Sequence, residues 1–499
     1  VGLGLRRSTA LRGDYKISPG MNAAQGNVLA MEHPATYSCG MGNELDRDNS
    51  RRTSRRAFFA AGGSGLAMTL ALRPAGVWAA WQMAPGREAL EFAERRRGEL
   101  ISLLSALVAV RSHTGESAAQ AQGVVTQYLA ALPYRVEVTE DAPSRLQEHP
   151  EFMPPSPPGE GPFVNVVAHP ADGAGTRFGV FSHIDTEVPG EGWGTDPYQV
   201  TRVNRRLHGV GTADDKGGVA AMLVAAAALH EIGSPLPTVM SLHGKGGGSR
   251  GSLPVFERFA RAGTNFGAVL YSHPAETGRG LVDIKNVVQG ALDLTLEVTG
   301  WRGAALEIGS PESALFDTGG DALHACWGAI EHLRATALAG LRVNVGELES
   351  GDRVGAVPES ARARIRVLFD SPHTWRDLLA EARRQLDVYV RGIPQPDDTY
   401  DAVLTQDGLA TNPGAVDWDG SSCEELRAAI EEVTGTAPRP YRNHYAGDIR
   451  YPIRLLGAPA FGIGSLGGNF YGPNEWVDAD DLVNLTAVII ATVRRWSMA

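Results

Sequence analysis

The sequence predicts an α/β protein: a main domain with a mostly parallel sheet flanked by helices, and an inserted α+β domain in which two helices cover a small sheet. Three short apolar runs, RFGVFSH, PTVMSLH and FGAVLYSH, alternate with helical or loop segments, which is typical of a buried parallel sheet. From residue 291 the order of elements changes to strand, helix, strand, strand, helix, which indicates a separate small sheet. These two observations together support the fold class.

The composition is that of a globular protein whose partners are small molecules or peptides. The chain has 499 residues, of which 43% are hydrophobic and 21% charged, enough for large cores and more than one domain. A formal net charge of −11 argues against nucleic acid or an anionic membrane as a partner. Cys39, Cys326 and Cys423 are too few and too scattered for a disulfide framework or a thiolate metal cluster.

The first 80 residues form a predicted leader. The stretch RRTSRRAFFAAGGSGLAMTLALRPAGVWAA resembles a twin-arginine export signal, with Arg55 and Arg56 before a short apolar run and a cleavage site near Ala79 or Ala80. The apolar segment 57–72 is shorter than the roughly 20 residues that span a bilayer, which favours an address over a membrane anchor. We therefore expect a periplasmic or extracellular protein with no membrane span after cleavage; the alternative is a solvated basic tail.

The main domain is predicted to occupy residues 81–290 and 404–499. Two amphipathic helices, ALEFAERRRGELISLLSALVAV and GVVTQYLAAL, precede a proline-rich loop and the three apolar strands. Ligands of parallel sheets gather beyond the carboxyl ends of the strands, so His183, His243 and His273, one at each strand end, lie where chemistry is expected. The closing segments APAFGIGS and DADDLVNLTAVIIATVRRW predict a strand and a long helix.

The inserted domain is predicted to span residues 291–403. Its first strand is ALDLTLEVTGW, and a helix follows around DALHACWGAIEHLRATAL. The alternating runs LRVNVGEL and ARARIRVLF predict two further strands, and TWRDLLAEARRQLDVYV predicts the second helix. Both helices are expected to pack on one face of the small sheet.

Residues 182–218, SHIDTEVPGEGWGTDPYQVTRVNRRLHGVGTADDKGG, resemble the signature of the M20 family of metallopeptidases and amidohydrolases. This family includes acetylornithine deacetylase, succinyl-diaminopimelate desuccinylase and the glutamate carboxypeptidases. The matching features are His-x-Asp after a strand, Val-Pro, Trp with Asp-Pro, and Gly-x-Gly-x-x-Asp-x-Lys-Gly at the start of a helix. The resemblance extends from about residue 87 to the C-terminus. It implies a catalytic main domain and an inserted lid through which family members often form homodimers.

Members of this family hold two zinc ions bridged by one aspartate, and a glutamate activates the bridging water. By this resemblance His183 is a ligand of the first zinc, Asp185 orients the His183 imidazole through its other ring nitrogen, and Asp214 is the bridging carboxylate. A simpler role for Asp214 is an acidic residue that stabilises a helix N-terminus. His273-Pro274 stands where many relatives have Glu-Pro, and zinc accepts nitrogen from histidine as readily as oxygen from glutamate.

The second zinc site departs from the family pattern. Where relatives have two adjacent glutamates, the loop SLHGKGGGSRGS has Lys245 and Gly246, and where relatives have a histidine ligand, YGPNE has Tyr471. A neutral phenol is a poor zinc ligand, so Tyr471 is instead a candidate substrate-binding residue, and His444 is only a weak substitute ligand. The loop also lacks the ending of a phosphate-binding P-loop. We therefore predict one zinc ion, held by the three first-site ligands with an open fourth position.

Loss of the glutamate pair also removes the usual general base. Lys245 is predicted to lie near the vacated second site, where its ammonium replaces part of the missing charge, unless it points to solvent. Glu276 and His243 are the candidate replacements for the base. Arg450 is a candidate for gripping a substrate carboxylate, although an ion pair with Asp448 explains it equally well.

Three functions remain open from the sequence. The first is an exported hydrolase that cleaves an amide or peptide-type bond in a small substrate with one zinc. The second is a non-catalytic relative that keeps the cleft for binding, and the third is an enzyme of different chemistry that uses Lys245 as its functional amine. The lid segment TGWRGAALEIGS has no histidine where relatives carry one, so altered substrate contacts are expected.

Overall fold

The computed structural model describes eight stretches of the chain between residues 85 and 498. The predicted leader, the site residues Lys245 and Gly246, and the lid segment after the first lid strand lie outside the described residues, so these assignments stay predictions. None of the helices in the described part is both long enough and apolar enough to span a bilayer. The described ranges are 85–153, 163–172, 177–244, 247–300, 321–351, 357–370, 372–393 and 400–498.

Helices and strands alternate along most of the described chain. The helices are α1 Pro85–Arg95, α2 Arg97–Ala109, α3 Gly115–Ala130, α4 Lys216–Glu231, α5 Ser252–Arg261, α6 Ala322–Ala335, α7 Trp375–Gly392, α8 Ser421–Thr434, α9 Arg450–Leu456 and α10 Ala479–Met498. The strands are β1 Tyr134–Asp141, β2 Phe163–Pro170, β3 Phe178–His183, β4 Thr201–Val203, β5 Arg206–His208, β6 Thr238–Leu242, β7 Ala268–Ser272, β8 Asp283–Lys285, β9 Val287–Thr299, β10 Arg342–Ser350, β11 Ser360–Phe369, β12 Asp401–Thr411, β13 Gly414–Ala415, β14 Arg439–Tyr441, β15 His444–Tyr445, β16 Ala460–Ile463, β17 Gly467–Gly468 and β18 Trp476–Asp478.

The main domain is built on a sheet with the strand order β1-β2-β6-β3-β7-β16-β8-β14. Its central strands are parallel: β3 pairs with β6 on one side and with β7 on the other, and β16 continues the sheet in parallel beside β7. Strands β6 and β7 are buried along their whole length, as expected for strands covered on both faces. The predicted mostly parallel sheet flanked by helices is confirmed.

Helices cover both faces of this sheet, and the sheet separates two cores. On one face α4, whose alanine-rich sequence is almost entirely buried, packs with α2 and α10 against the sheet. On the other face α5 and α9 enclose an aromatic core, in which Phe181 stacks on Tyr271 with ring centroids 4.3 Å apart. Both faces are therefore closed to water, and the exposed functional surface is at the ends of the strands.

The inserted domain is a four-stranded antiparallel sheet in the order β10-β11-β9-β12, with α6 and α7 packed into one core against it. The predicted α+β lid with two helices on a small sheet is confirmed. Strand β9 joins the two domains, because its first residues pair with β13 and β15 and its remainder forms the lid sheet. The predicted boundary at residue 403 falls inside β12, which pairs with β9 up to Thr411, so the chain returns to the main domain only after that residue.

Candidate metal centre

Three potential metal ligands come from three separate elements at one edge of the main sheet. His183 is the last residue of β3, His273 follows the end of β7, and Asp214 lies two residues before α4. Because β3 and β7 are parallel neighbours, their carboxyl ends bring the two imidazoles to the same place. The N-terminal end of α4 then presents the carboxylate between them.

The ligand atoms of these three residues converge on one point. The Oδ1 atom of Asp214 lies 2.9 Å from Nε2 of His183 and 3.2 Å from Nε2 of His273. One nitrogen or oxygen from each residue lies within 4.8 Å of the others, and among the described residues this is the one such cluster of three or more His, Cys, Asp or Glu side chains. The predicted set of His183, Asp214 and His273 is thus brought together.

The donor set and its burial fit a divalent metal ion. Two imidazole nitrogens and one carboxylate oxygen are the donors that catalytic zinc sites use with an open fourth position. The other carboxylate oxygen of Asp214, Oδ2, is buried and has no hydrogen-bond partner among the described residues. An unpaired buried carboxylate oxygen is costly unless a cation or donor satisfies it, so the centre is suited to a metal ion.

The segment that follows His183 contacts the ring nitrogen that faces away from Asp214. The Nδ1 atom of His183 lies 3.2 Å from the backbone oxygen of Asp185 and 3.5 Å from the Asp185 carboxylate. That carboxylate accepts a hydrogen bond from the Gly244 backbone N–H at 2.6 Å and lies 3.4 Å from Nδ1 of His243. Burial opposes the charged form of His183, but Asp185 and Asp214 outweigh it and hold the pKa of His183 well above its usual range. Asp185 therefore contacts His183 mainly through its backbone oxygen, whereas the prediction assigned the orienting role to its carboxylate.

His273 has a different and unpredicted partner. Its Nδ1 atom lies 2.8 Å from the backbone oxygen of Pro274 and 2.5 Å from Nζ of Lys285, and Lys285 also donates to the Pro274 oxygen at 2.8 Å. Burial and the neighbouring Lys285 lower the pKa of His273 to about 4. Burial also lowers the pKa of Lys285 to about 8. Sequence reasoning missed Lys285, since a single lysine in a short strand is read as a surface residue unless its strand is known to be internal.

Asp214 is positioned through its backbone by a second residue that sequence reasoning did not assign. The carboxylate of Glu475 accepts hydrogen bonds from the backbone N–H groups of Gly211, Ala213 and Asp214 at 2.7 to 2.9 Å. Burial raises the pKa of Glu475 to about 8. The Asn-Glu of YGPNE was the available signal for this role.

The metal centre opens into a cavity of about 580 Å³. Glu276 and Tyr471 line it together, and the Tyr471 hydroxyl donates to Oε1 of Glu276 at 3.3 Å. Burial and the negative charge of Asp214 raise the pKa of Glu276. Both backbones adopt positive φ angles, 59° at Glu276 and 61° at Tyr471, a conformation that non-glycine residues adopt only when the surroundings enforce it. The two candidate residues are therefore next to each other on the wall of the cavity that also contains the three ligands.

The remaining predicted residues lie away from the cavity. His243 is fully buried behind Asp185 and packs edge-on against Phe163 at 4.8 Å, so it is not among the residues that line the cavity. Arg450 is also fully buried, and its guanidinium donates to backbone oxygens behind the cavity wall. One of its nitrogens lies 3.8 Å from Asp448, in keeping with the structural alternative for this residue.

The sequence profile of peptidase family M20/M25/M40 matches residues 179–495, which include every residue of the centre. The chain belongs to this family. A succinyl-diaminopimelate desuccinylase of Rhizorhabdus wittichii is 27% identical over 318 residues, which are 61% of this chain and 78% of that protein. The resemblance inferred from the sequence signature is confirmed.

Solved structures of the family share the fold. An M20 family metallo-carboxypeptidase from Sulfolobus solfataricus superposes with a TM-score of 0.58 at 15% identity, over 80% of this chain and 100% of that one. A dinuclear metal-binding M20 peptidase from Bacillus subtilis has a TM-score of 0.54 at 12% identity, over 80% of this chain and 98% of that one. The M20 chain described here is thus a metal-dependent hydrolase of the peptidase and amidohydrolase type.

Proposed function

We propose that this M20 protein is an exported hydrolase that cleaves an amide or peptide-type bond in a small substrate with a single zinc ion. The observation that carries the proposal is the convergence of His183, Asp214 and His273 at the floor of a cavity large enough for a small molecule. The three residues are from elements far apart in sequence, and their ligand atoms lie within 4.8 Å of one another.

A single ion is favoured by the nature of the residues around Asp214. The position that carries a second-site histidine in relatives holds Tyr471, whose hydroxyl is engaged with Glu276. The Tyr471 side chain is 59% exposed and its hydroxyl donates to a carboxylate, so the phenol is neutral, and a neutral phenol is a poor zinc ligand. Gly246, which replaces a glutamate ligand, has no side chain to offer.

The residues of the chain supply positioning and proton transfer. Zinc at the three ligands would supply Lewis-acid activation of the scissile carbonyl and of a water molecule. Glu276 lines the cavity beside this centre, and we propose that its carboxylate takes a proton from the attacking water and then delivers it to the leaving nitrogen. Tyr471 donates to the same carboxylate and fixes its direction.

The proposal is tested by metal analysis and a substrate screen on the mature protein. We expect one zinc per chain and hydrolysis of at least one member of a panel of N-acetyl amino acids, N-succinyl amino acids and dipeptides. A protein with zinc that hydrolyses none of them would favour the binding-protein alternative, and turnover that is abolished in Lys245→Ala with zinc retained would favour chemistry at Lys245.

Export and assembly are separate parts of the proposal. The twin-arginine stretch supports delivery of the folded, metal-loaded protein to the periplasm or the outside of the cell. The lid supports a homodimer by analogy with the family. Sedimentation of the purified protein gives its mass in solution, and a monomer would contradict the proposed homodimer.

A further inference from the structure

His444 places an imidazole on the cavity wall, and the proposed hydrolysis gives this ring no role. Its ring lies beside that of His273, with centroids 5.8 Å apart and planes inclined by 65°. It lines the cavity, and no hydrogen bond joins its ring nitrogens to any residue in the described part of the chain. A polar ring beside the reacting centre therefore has its hydrogen-bonding capacity open to a ligand.

The backbone around His444 is fixed. Strand β15, which is His444 and Tyr445, pairs in parallel with Val288 and Gln289 at the start of β9. The backbone oxygens of the next two residues, Ala446 and Gly447, accept hydrogen bonds from the buried guanidinium of Arg450 at 2.8 and 3.1 Å. The loop is thus held by a charged group that has no exposed surface.

The ring itself is also restrained by its neighbours. A Cβ atom added at Gly447 would lie 2.6 Å from Cδ2 and 2.9 Å from Nε2 of His444, so this edge of the ring packs directly on the glycine backbone. The same added atom would lie 3.0 Å from Cγ2 of Val288, so a β9 side chain lies beside this edge of the ring. The ring thus packs against both the glycine backbone and the His273 ring, and such restraint is the property that a preorganised donor needs.

The position of His444 differs from that of the three metal ligands. The ligand atoms that lie within 4.8 Å of one another are from His183, Asp214 and His273. A substrate whose carbonyl carbon is at this centre has its carbonyl oxygen in the cavity, where the His444 ring is one of the walls. Amide hydrolysis places negative charge on that oxygen, and a preorganised donor to it is typically worth about 10²–10³ in kcat.

We propose that His444 is a catalytic residue that donates a ring N–H to the carbonyl oxygen of the scissile bond as negative charge develops there. The inference rests on the proposed amide hydrolysis at the same centre. It gives Arg450 a positioning role, because the Arg450 guanidinium donates to the backbone oxygens of Ala446 and Gly447, two and three residues after His444.

The test compares His444→Gln with His230→Gln, which replaces an exposed histidine at the end of α4. With a substrate from the panel above, we expect kcat of His444→Gln to fall by about 10²–10³ with KM and zinc content near those of the wild type. We expect His230→Gln to behave as the wild type. Unchanged kcat in His444→Gln overturns the inference, and loss of zinc in that variant overturns it too, since it makes His444 a metal ligand.

A second measurement on wild-type protein covers the case in which His444→Gln does not fold. A phosphinate analogue of alanyl-alanine carries an oxyanion at the position of the attacked carbonyl. With ¹⁵N-histidine labelling, we expect its addition to shift a ring nitrogen of His444 to a hydrogen-bonded value, and an unchanged resonance with bound phosphinate overturns the inference. Wild-type protein that neither hydrolyses the panel nor binds the phosphinate instead overturns the proposed function together with this inference.

Discussion

The two imidazoles of the centre face opposite electrostatic surroundings. Burial lowers the pKa of His183, but the neighbouring Asp185 and Asp214 outweigh this effect and keep the pKa well above the usual range. His273 is buried against Lys285, and its pKa is lowered to about 4. Because a ring nitrogen must be deprotonated to bind a metal ion, the raised pKa of His183 leads us to expect that metal affinity weakens as the pH falls, chiefly through His183.

Replacement of the proposed base tests its role directly. Glu276→Gln keeps the shape of the side chain and the contact with Tyr471 but cannot accept a proton. We expect kcat to fall by about 10²–10⁴ with zinc content unchanged, measured by steady-state kinetics and metal analysis. Glu116→Gln, at an exposed position on α3, is the control. A Glu276→Gln enzyme with normal kcat would remove Glu276 from the mechanism.

The raised pKa of Glu276 also predicts the pH dependence. Burial and Asp214 favour the protonated acid, whereas the base must be ionised to take a proton from water. Activity is therefore expected to rise with pH through a pKa above the ordinary glutamate value and to be lost on the acid side. The pH profile of kcat/KM measures this limb, and its persistence in Glu276→Gln would assign it to another group.

The carboxylate of Glu475 is expected to position Asp214 and to stabilise the fold. The two carboxyl oxygens of Glu475 together accept from three backbone N–H groups, and Glu475→Gln replaces one of these two acceptors by an amide nitrogen. We expect a loss of about 1–3 kcal/mol in the free energy of unfolding and weaker zinc binding, measured by denaturant titration and competition with a chelator. Glu431→Gln on the exposed face of α8 is the matched control. Equal stability of the two variants would contradict this role.

At the scale of elements, Gly464 sets the distance between β16 and the segment that carries His273. A Cβ atom at residue 464 would lie 2.3 Å from the backbone nitrogen of Pro274, a contact that only a backbone shift can relieve. We expect Gly464→Ala to cost about 1–3 kcal/mol and to weaken zinc binding through displacement of His273. Gly123→Ala, where the added atom meets open space on α3, is the control, and normal zinc affinity in Gly464→Ala would contradict the coupling.

Sequence patterns predicted the elements better than the side-chain directions. The three apolar runs ending in histidine are β3, β6 and β7, but only two of their histidines point to the centre, and His243 is buried behind it. The sequence pattern of a strand does not show in which direction the side chain at its end points. The first predicted helix is divided at Arg96 into α1 and α2. The apolar period continues across this break, and for that reason the sequence predicted a single helix.

The partners of the ligands were harder to predict than the ligands themselves. His183, Asp214 and His273 lie next to recognisable motifs, whereas Lys285 and His444 become neighbours of His273 only through the pairing of β8 with β16 and of β15 with β9. Contacts between distant strands have no local sequence signal. Arg450 shows the same limit, since its burial depends on the Gly247 and Ala446 carbonyls that surround it.

At the scale of the whole molecule, the leader is expected to decide where the enzyme works. Replacement of Arg55 and Arg56 by lysine should retain the precursor inside the cell, because twin-arginine signals are read by a receptor. The same replacement at Arg51 and Arg52 is the matched control. Fractionation followed by immunoblotting measures the outcome, and equal export of both variants would contradict the predicted signal.

The number of zinc ions per chain is the most direct test of the one-metal centre. By mass spectrometry of metals in purified mature protein, we predict one zinc ion in the wild type and in Tyr471→Phe, and loss of that ion in His183→Ala and in His273→Ala. Two ions per wild-type chain, or zinc retained after removal of either imidazole, would contradict the account.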